Sequence, residues 1–447
     1  MDDRQQDEPR SRICQNSGRP RSRICQNSGQ RRISWQQIAI LLVLATVVRG
    51  GMLVASWDRF QDDPDGYRQL ARNLLEHGTF GYPVPRDGQT KVIPTAYRPP
   101  VYPMLLAAFG AARDVDTLSV AVLHGLLGVA TVLLVATFAF RSFGGPVAGI
   151  AAVLVLFDPI LLNQSGLVMT ETLAALLAIA AWTLLSGSSR LGPRVSAGLV
   201  MGIAALCRPV FLVWLGLVAA VLLASSIKRR EIFPALGFCT AAALVLAPWI
   251  VRNFLQFQRP IATTTHGGYT VWLGNNDAYY DFLRTAPRGS VWDSTRLDER
   301  YAQRLLELDG DEVEADRWAN QQARQCIQRR PGMFVRASIG RVTRLWGWVP
   351  NRLSADESHL RRYARWAVGV WYFVQFLSIL AAMLALRQEV LTSPWLWAVL
   401  LAISLTAVHC IYWTDMRMRA PMIPMLAVAA AWGFVRIYDR TVGHARS

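Results

Sequence analysis

The sequence predicts an all-α fold, a polytopic membrane bundle of about ten spans joined by small helical outer loops. Two observations predict it. Apolar residues make up 52% of the 447 residues, and they gather into runs that recur from one end to the other near the ~20-residue length that crosses a bilayer. The short connections on one side of these runs carry arginine, the pattern of loops that stay on the cytoplasmic face. A soluble chain of this length more often divides into several domains. Here one membrane domain, 34–447, follows a tail, 1–33.

The tail is polar and arginine-rich. It repeats itself, Pro9–Gly18 recurring as Pro20–Gly29, and its lack of apolar period predicts a disordered cytoplasmic segment. The spans follow as Gln37–Trp57, Thr117–Phe140, Pro146–Leu162, Leu167–Leu185, Val195–Cys207, Val210–Ser226, Phe233–Val251, Trp366–Leu386, Pro394–Trp413 and Ala420–Ile437. Val195–Cys207 is short for a crossing and needs help from its neighbours. Arg141, Arg190, Arg194, Lys228, Arg229, Arg230 and Arg387 then mark the inner loops, and Arg440 and Arg446 the C-terminal tail, so both termini are expected in the cytoplasm. The outer face owns the loops 58–116 and 252–365. In the first, Tyr67, Leu70, Ala71, Leu74 and Leu75 share one face of an amphipathic helix, and Val101–Ala112 reads as an interfacial helix. In the second, Leu297, Tyr301 and Leu305 mark a helix, another stretch ends before Pro331, and Phe334, Ile339, Val342, Leu345 and Trp346 lead back to the membrane.

The net charge of +16 comes almost wholly from arginine. Membrane topology and anionic headgroups account for most of it, and no nucleic-acid-binding pattern accompanies it. Six cysteines are scattered, with Cys207, Cys239 and Cys410 inside apolar segments, so neither a disulfide framework nor a zinc site is indicated.

This topology brings the unusual polar groups to the outer ends of the helices. They are Asp62, Asp63 and Asp65 after the first span, then Asp158, Glu171, Arg208, Arg252 with Asn253, and Asp415, Arg417 and Arg419. A charge at membrane depth costs a few kcal/mol unless it faces a cavity or a partner, on the order of ~2.5–3.5 by insertion scales. Their convergence predicts one polar cavity opening outward. Each residue also has a structural reading. Asp63 can cap a helix that begins with Pro64, Glu171 and Arg208 can form a structural ion pair, and Arg417 and Arg419 can anchor a helix end. Arg49 reads as structural, and His266 and His359 lack the spacing of metal ligands.

At these residues the chain resembles the type C (GT-C) glycosyltransferases, nearest to the protein O-mannosyltransferase and lipid A aminoarabinose transferase branch. The resemblance rests on Asp63-Pro64-Asp65-Gly66-Tyr67 with Leu70–Leu74 and Gly78, and on Tyr97-Arg98-Pro99-Pro100-Val101-Tyr102-Pro103. It continues in Met169–Leu173, Pro248-Trp249, Arg252-Asn253, Gly268-Tyr269, Trp272–Asn276 and Arg417–Pro421 with Pro424, and spans roughly 35–437. It implies a polyprenyl-phosphate-linked monosaccharide as donor, a hydroxyl acceptor on a glycan, lipid or protein, and inverting transfer on the outer face of the cell membrane. It also implies a general base four residues before the tyrosine, which is Asp63, with Asp62 and Asp65 as neighbours that can take its place. Arg98 and Arg208, then Arg252, Arg417 and Arg419, are the candidates for the donor phosphate, because guanidinium forks bond two phosphate oxygens at once. Tyr67, Tyr97, Tyr102, Glu171 and Asn253 are candidates for holding or orienting substrate. The sequence specifies no cofactor, and the clustered carboxylates leave room for a divalent metal without specifying one. The alternative function is a transporter or flippase for a phosphorylated lipid-linked sugar, which also needs an outward cavity lined by arginine.

Overall fold

The computed structural model describes residues 34–86, 89–287, 290–352, 356–386 and 391–444. The repeated tail lies outside them. The chain enters through α1 (Trp35–Ala55), capped by Ser34, whose side chain accepts from the Gln37 amide while Gln37 reaches back to the Ser34 amide. A short 3₁₀ turn, Trp57–Phe60, leads into α2 (Tyr67–His77), β1 (Gly81–Arg86), β2 (Gln89–Pro94) and α3 (Val101–Gly110). The bundle continues with α4 (Thr117–Phe143), α5 (Gly145–Leu156), α6 (Pro159–Ser165), α7 (Glu171–Ser186), α8 (Leu191–Cys207), α9 (Val210–Arg229) and α10 (Phe233–Phe257). The second segment expected on the outer face holds α11 (Gly267–Gly274), α12 (Asp277–Thr285), α13 (Thr295–Glu307), α14 (Glu312–Arg329) and α15 (Pro331–Trp346). Helices α16 (His359–Leu386), α17 (Trp395–His409) and α18 (Ile423–His444) complete the chain, the last preceded by a 3₁₀ turn, Met416–Met422.

Each expected span coincides with helix. Six helices are long and apolar enough to cross a membrane, and the pair α5–α6, bent by 47°, makes up to seven. The helices α7, α8 and α17 are apolar but have only 16, 17 and 15 residues, so the tally of ten remains an expectation. Large apolar side chains face outward along α1, α10 and α16, among them Val47, Leu244 and Leu384. Water would penalise such a belt and lipid does not, so the chain is an integral membrane protein.

The core is built by α8 on α10, α4 on α5, α16 on α18 and α7 on α8. Backbones meet closely at small residues. A Cβ on Gly198 of α8 would fall 2.2 Å from the Phe238 carbonyl of α10, and one on Gly433 of α18 would fall 2.1 Å from the Ser378 carbonyl of α16. Asp158 holds the α5–α6 bend. One carboxylate oxygen accepts from the Leu161 amide at 2.9 Å, and the other accepts from the Tyr372 hydroxyl at 2.9 Å. Arg49 packs as the structural residue the sequence suggested. It is buried in α1 and donates to the Val155 carbonyl at 2.9 Å.

One element corrects the expectation of purely helical outer loops. Strands β1 and β2 form an antiparallel hairpin in which Gly81 pairs with Pro94 and Arg86 with Gln89. Pro83 and Pro85 disguise the strand pattern, because proline donates no ladder hydrogen bond and usually argues against a strand. A two-stranded edge tolerates them.

Candidate active site

The site begins with two breaks in helical structure. Arg208 precedes Pro209, and the proline ring disfavours helical geometry in the residue before it. Arg208 is accordingly extended, with φ −145° and ψ 123°, and α8 ends there. Its side chain turns to Glu171, at the first residue of α7, and forms an ion pair of 2.9 Å. It also donates to the Thr170 hydroxyl at 3.2 Å and to the Met418 sulfur at 2.9 Å. The second break is Gly66, which at φ +69° starts α2 from a left-handed conformation. Asp65 is thereby set to receive Arg98, whose Nη2 donates to its carboxylate at 2.8 Å and whose Nε donates to its carbonyl at 3.1 Å. The guanidinium also lies 5.1 Å from the Tyr97 ring centre and 5.7 Å from that of Tyr67.

Both ion pairs line one cavity of about 840 Å³, together with Tyr67, Tyr97 and Arg417. Arg417 reaches its own neighbour Asp415 at 3.2 Å. The two carboxylates differ in reach. The Asp65 side chain is 24% exposed, whereas that of Glu171 is 2% exposed. One Glu171 oxygen is nonetheless left without a hydrogen-bond partner.

The other expected site residues are placed elsewhere, each for a physical reason. Asp63 caps α2. Its Oδ2 accepts from the Gln69 amide at 3.1 Å, and it does not line the cavity. Burial pushes its carboxyl above the ordinary range, against the pull of the Gln69, Tyr67 and Arg68 amides. Asp62 is exposed on the loop. Tyr102 is fully buried, its hydroxyl 2.7 Å from Nε2 of His124, whose Nδ1 donates to the Ser165 carbonyl at 2.9 Å. Arg252 braces the hairpin, donating to the Thr95 carbonyl at 2.8 Å and the Phe80 carbonyl at 3.0 Å. Asn253 donates to the Ile261 carbonyl at 3.0 Å. Arg419 is buried against the carbonyls of Leu345 and Gly347, with the Tyr372 ring centre 4.2 Å away. Among the described residues no group of three His, Cys, Asp or Glu could hold a metal ion.

The second outer segment supplies a wall that the sequence did not reveal. His266, Tyr269, Asp298 and Tyr301 line the same cavity, and Tyr412, just after α17, borders it as well. In the sequence Gly268-Tyr269 stood out by resemblance, Tyr301 only as a mark of a helix and His266 only as a histidine without metal-ligand spacing, and nothing in residue spacing carries α11 and α13 to the first loop. Helix α14 does so. Glu312 accepts from the Thr95 hydroxyl and, at 2.6 Å, from the Ala96 amide, just before Arg98. Asp316, one turn on, accepts from the Gly268 amide at 2.6 Å. Burial raises both carboxyls, that of Asp316 to about 6. Burial, then the nearby charge of Arg98, holds the His266 ring neutral, well below its ordinary pKa. Replacing Glu312 by alanine leaves the buried Ala96 amide without an acceptor. It is expected to cost about 1–3 kcal/mol, read as lost hydrogen-exchange protection across 80–98.

No family model matches the chain, and no curated protein matches it by sequence. Its likeness lies with solved structures. The oligosaccharyltransferase AglB of Archaeoglobus fulgidus, in complex with an inhibitory peptide and a dolichol-phosphate, superposes with a TM-score of 0.51 over 91% of this chain and 51% of that one, at 15% identity. An Archaeoglobus fulgidus oligosaccharyltransferase tethered with an acceptor peptide containing the NVT sequon gives 0.52 over 91% and 50%, at 15% identity. The fold is the GT-C fold. ArnT of Cupriavidus metallidurans bound to undecaprenyl phosphate gives 0.41 over 89% and 78%, at 17% identity. The chain spans about half the length of AglB. Within the GT-C fold, the cavity lies where the segment 58–116, the Arg208 break and the segment 252–365 meet.

Proposed function

We propose that the chain is a glycosyltransferase that moves a monosaccharide from a polyprenyl-phosphate donor to a hydroxyl acceptor on the outer face of the membrane, with inversion. The observation that carries this reading is one cavity holding two arginine–carboxylate pairs, the Glu171 carboxylate buried and that of Asp65 partly exposed and within reach of a ligand. Arg98, Arg208 and Arg417 suit a lipid phosphate. A guanidinium has five N–H donors and can keep its carboxylate while bonding phosphate oxygens. As the sugar departs from phosphate, negative charge grows on the leaving oxygens, and fixed donors in a dry site stabilise it by about 2.7–4 kcal/mol each. A nearly wholly apolar hollow of about 660 Å³ between α15, α16, α17 and α18 adjoins Met422, in the same turn as Arg417, and suits an apolar chain.

Asp65 is the preferred base in place of Asp63. A base must come within hydrogen-bond distance of the acceptor hydroxyl, and of the three clustered aspartates only Asp65 lines the cavity. Asp63 keeps the capping role. Asp63→Ala is expected to cost about 0.5–2 kcal/mol of stability, as caps do, and to leave transfer per folded molecule far less affected than a change at Asp65. Thermal unfolding and transfer rate measured on the same preparation check this. Abolished transfer in a fully folded Asp63→Ala protein would return the base to Asp63.

The experiment that tests the function uses purified protein in lipid with labelled polyprenyl-phosphate sugars and candidate acceptors. Sugar appearing on an acceptor supports the reading. Movement of the lipid between leaflets with no transfer would establish the transporter instead.

A further inference from the structure

We propose that the wall formed by Tyr97, His266, Tyr269, Tyr301 and Asp298 is a subsite for a sugar ring of the acceptor, so that the acceptor is a glycan. The inference rests on the glycosyltransferase reading and adds the substrate class.

The four rings form a continuous run. The Tyr97 and His266 centres are 4.4 Å apart, His266 and Tyr269 are stacked at 5.2 Å, and Tyr269 and Tyr301 lie 4.8 Å apart. They come from the first outer loop, α11 and α13, and all border the cavity. Two polar atoms on this wall have no partner. They are the hydroxyl of Tyr301, a residue 7% exposed, and Nδ1 of His266. An unpaired buried polar atom costs about 1–3 kcal/mol, and a ligand with hydroxyls would remove that cost. Asp298 accepts from the Tyr269 and Ser294 hydroxyls and borders the cavity.

A sugar ring matches this mixture. It presents a face of C–H groups, which packs on aromatic rings, and a rim of hydroxyls, which needs donors and acceptors at the ring edges. Tyrosine offers both in one side chain. A peptide acceptor is commonly held by main-chain bonds to a sheet edge, and among the described residues none of a strand borders the cavity. A lipid acceptor would need an apolar wall. The volume of about 840 Å³ lies toward the upper end of the roughly 300–1,000 Å³ of small-molecule sites, leaving room beside a donor sugar phosphate.

Saturation-transfer difference NMR on the full chain in lipid nanodiscs tests this. The probes are methyl hexopyranosides and pentofuranosides, with a serine- and threonine-containing peptide in parallel. At least one glycoside is expected to receive saturation on its ring C–H protons and the peptide none. Tyr301→Phe, which removes one hydroxyl and keeps the ring, is expected to weaken glycoside binding about 3- to 10-fold, the worth of one hydrogen bond. Tyr269→Ala is expected to abolish it and Tyr269→Phe to retain it. Saturation of the peptide alone, binding of no glycoside, or glycoside binding indifferent to both tyrosines would overturn the subsite. Glycoside binding with these sensitivities in a protein that transfers no sugar would sustain the subsite and reject the glycosyltransferase reading.

Discussion

Asp65→Asn is expected to slow sugar transfer by about 10²- to 10⁴-fold, the usual contribution of a general base. Asparagine keeps the shape and can still accept one hydrogen bond from Arg98, so the fold and the Arg98 position should survive. What is lost is the ability to take a proton from the acceptor hydroxyl as its oxygen forms the new glycosidic bond. The signature is a fall in kcat with a smaller change in donor KM, because the base acts in the transition state more than in binding. Asp65 also pairs with Arg98 at 2.8 Å, and losing that charge frees Arg98 to grip the donor phosphate more tightly. A lowered donor KM beside the lowered kcat fits the same picture. Unchanged kcat in Asp65→Asn would remove the residue from the chemistry.

The second large effect is on stability. Arg208→Ala leaves Glu171 charged, 2% exposed and without its ion-pair partner. Breaking a buried pair from one side costs about 3–5 kcal/mol, a large fraction of the roughly 5–15 kcal/mol that holds a typical domain folded. The double change Arg208→Met with Glu171→Gln should recover much of that stability, since no unpaired charge remains. It should still fail to transfer sugar, because the phosphate has lost a fork. Thermal unfolding of the three proteins, set against their transfer rates, separates the structural share of the pair from its functional share. A double variant as active as the parent would exclude Arg208 from phosphate binding.

Much of the fold was legible because bilayer thickness writes itself into the chain as run length. Each expected span, from Gln37–Trp57 to Ala420–Ile437, coincides with a helix or with the bent pair α5–α6. The hairpin was hidden by Pro83 and Pro85, which erase the period of two on which strand reading depends. The site was legible in half. Arg98, Glu171 and Arg208 could be placed because each is costly where it stands, at a span end or beside a helix-breaking proline. The choice among Asp62, Asp63 and Asp65 could not be read, since three carboxylates within one turn differ only in direction. Gly66 decides that direction through its left-handed φ, and its neighbour Tyr82 donates to the Asp65 carbonyl at 3.3 Å from the hairpin that the sequence concealed. The aromatic wall was invisible for a different reason, since Tyr97 and Tyr301 are joined through His266 and Tyr269 only by tertiary packing of distant segments.

Helix α14 ties the two outer segments together largely through the main chain, with Glu312 on the amide of Ala96 and Asp316 on that of Gly268. An amide is offered by every residue type except proline. At the first of these anchoring positions the clamp itself therefore sets no residue type, and it is the full burial of Ala96 that keeps the side chain small. Gly268 is the exception, because a Cβ there would meet the Asp316 carbonyl at 1.9 Å. A scaffold fastened in this way lets the surface facing the acceptor be rewritten by mutation at little cost to the geometry around Arg98. Diversification of acceptors along a lineage would then concentrate on α11 and α13, with α14 and Gly268 left as the fixed frame.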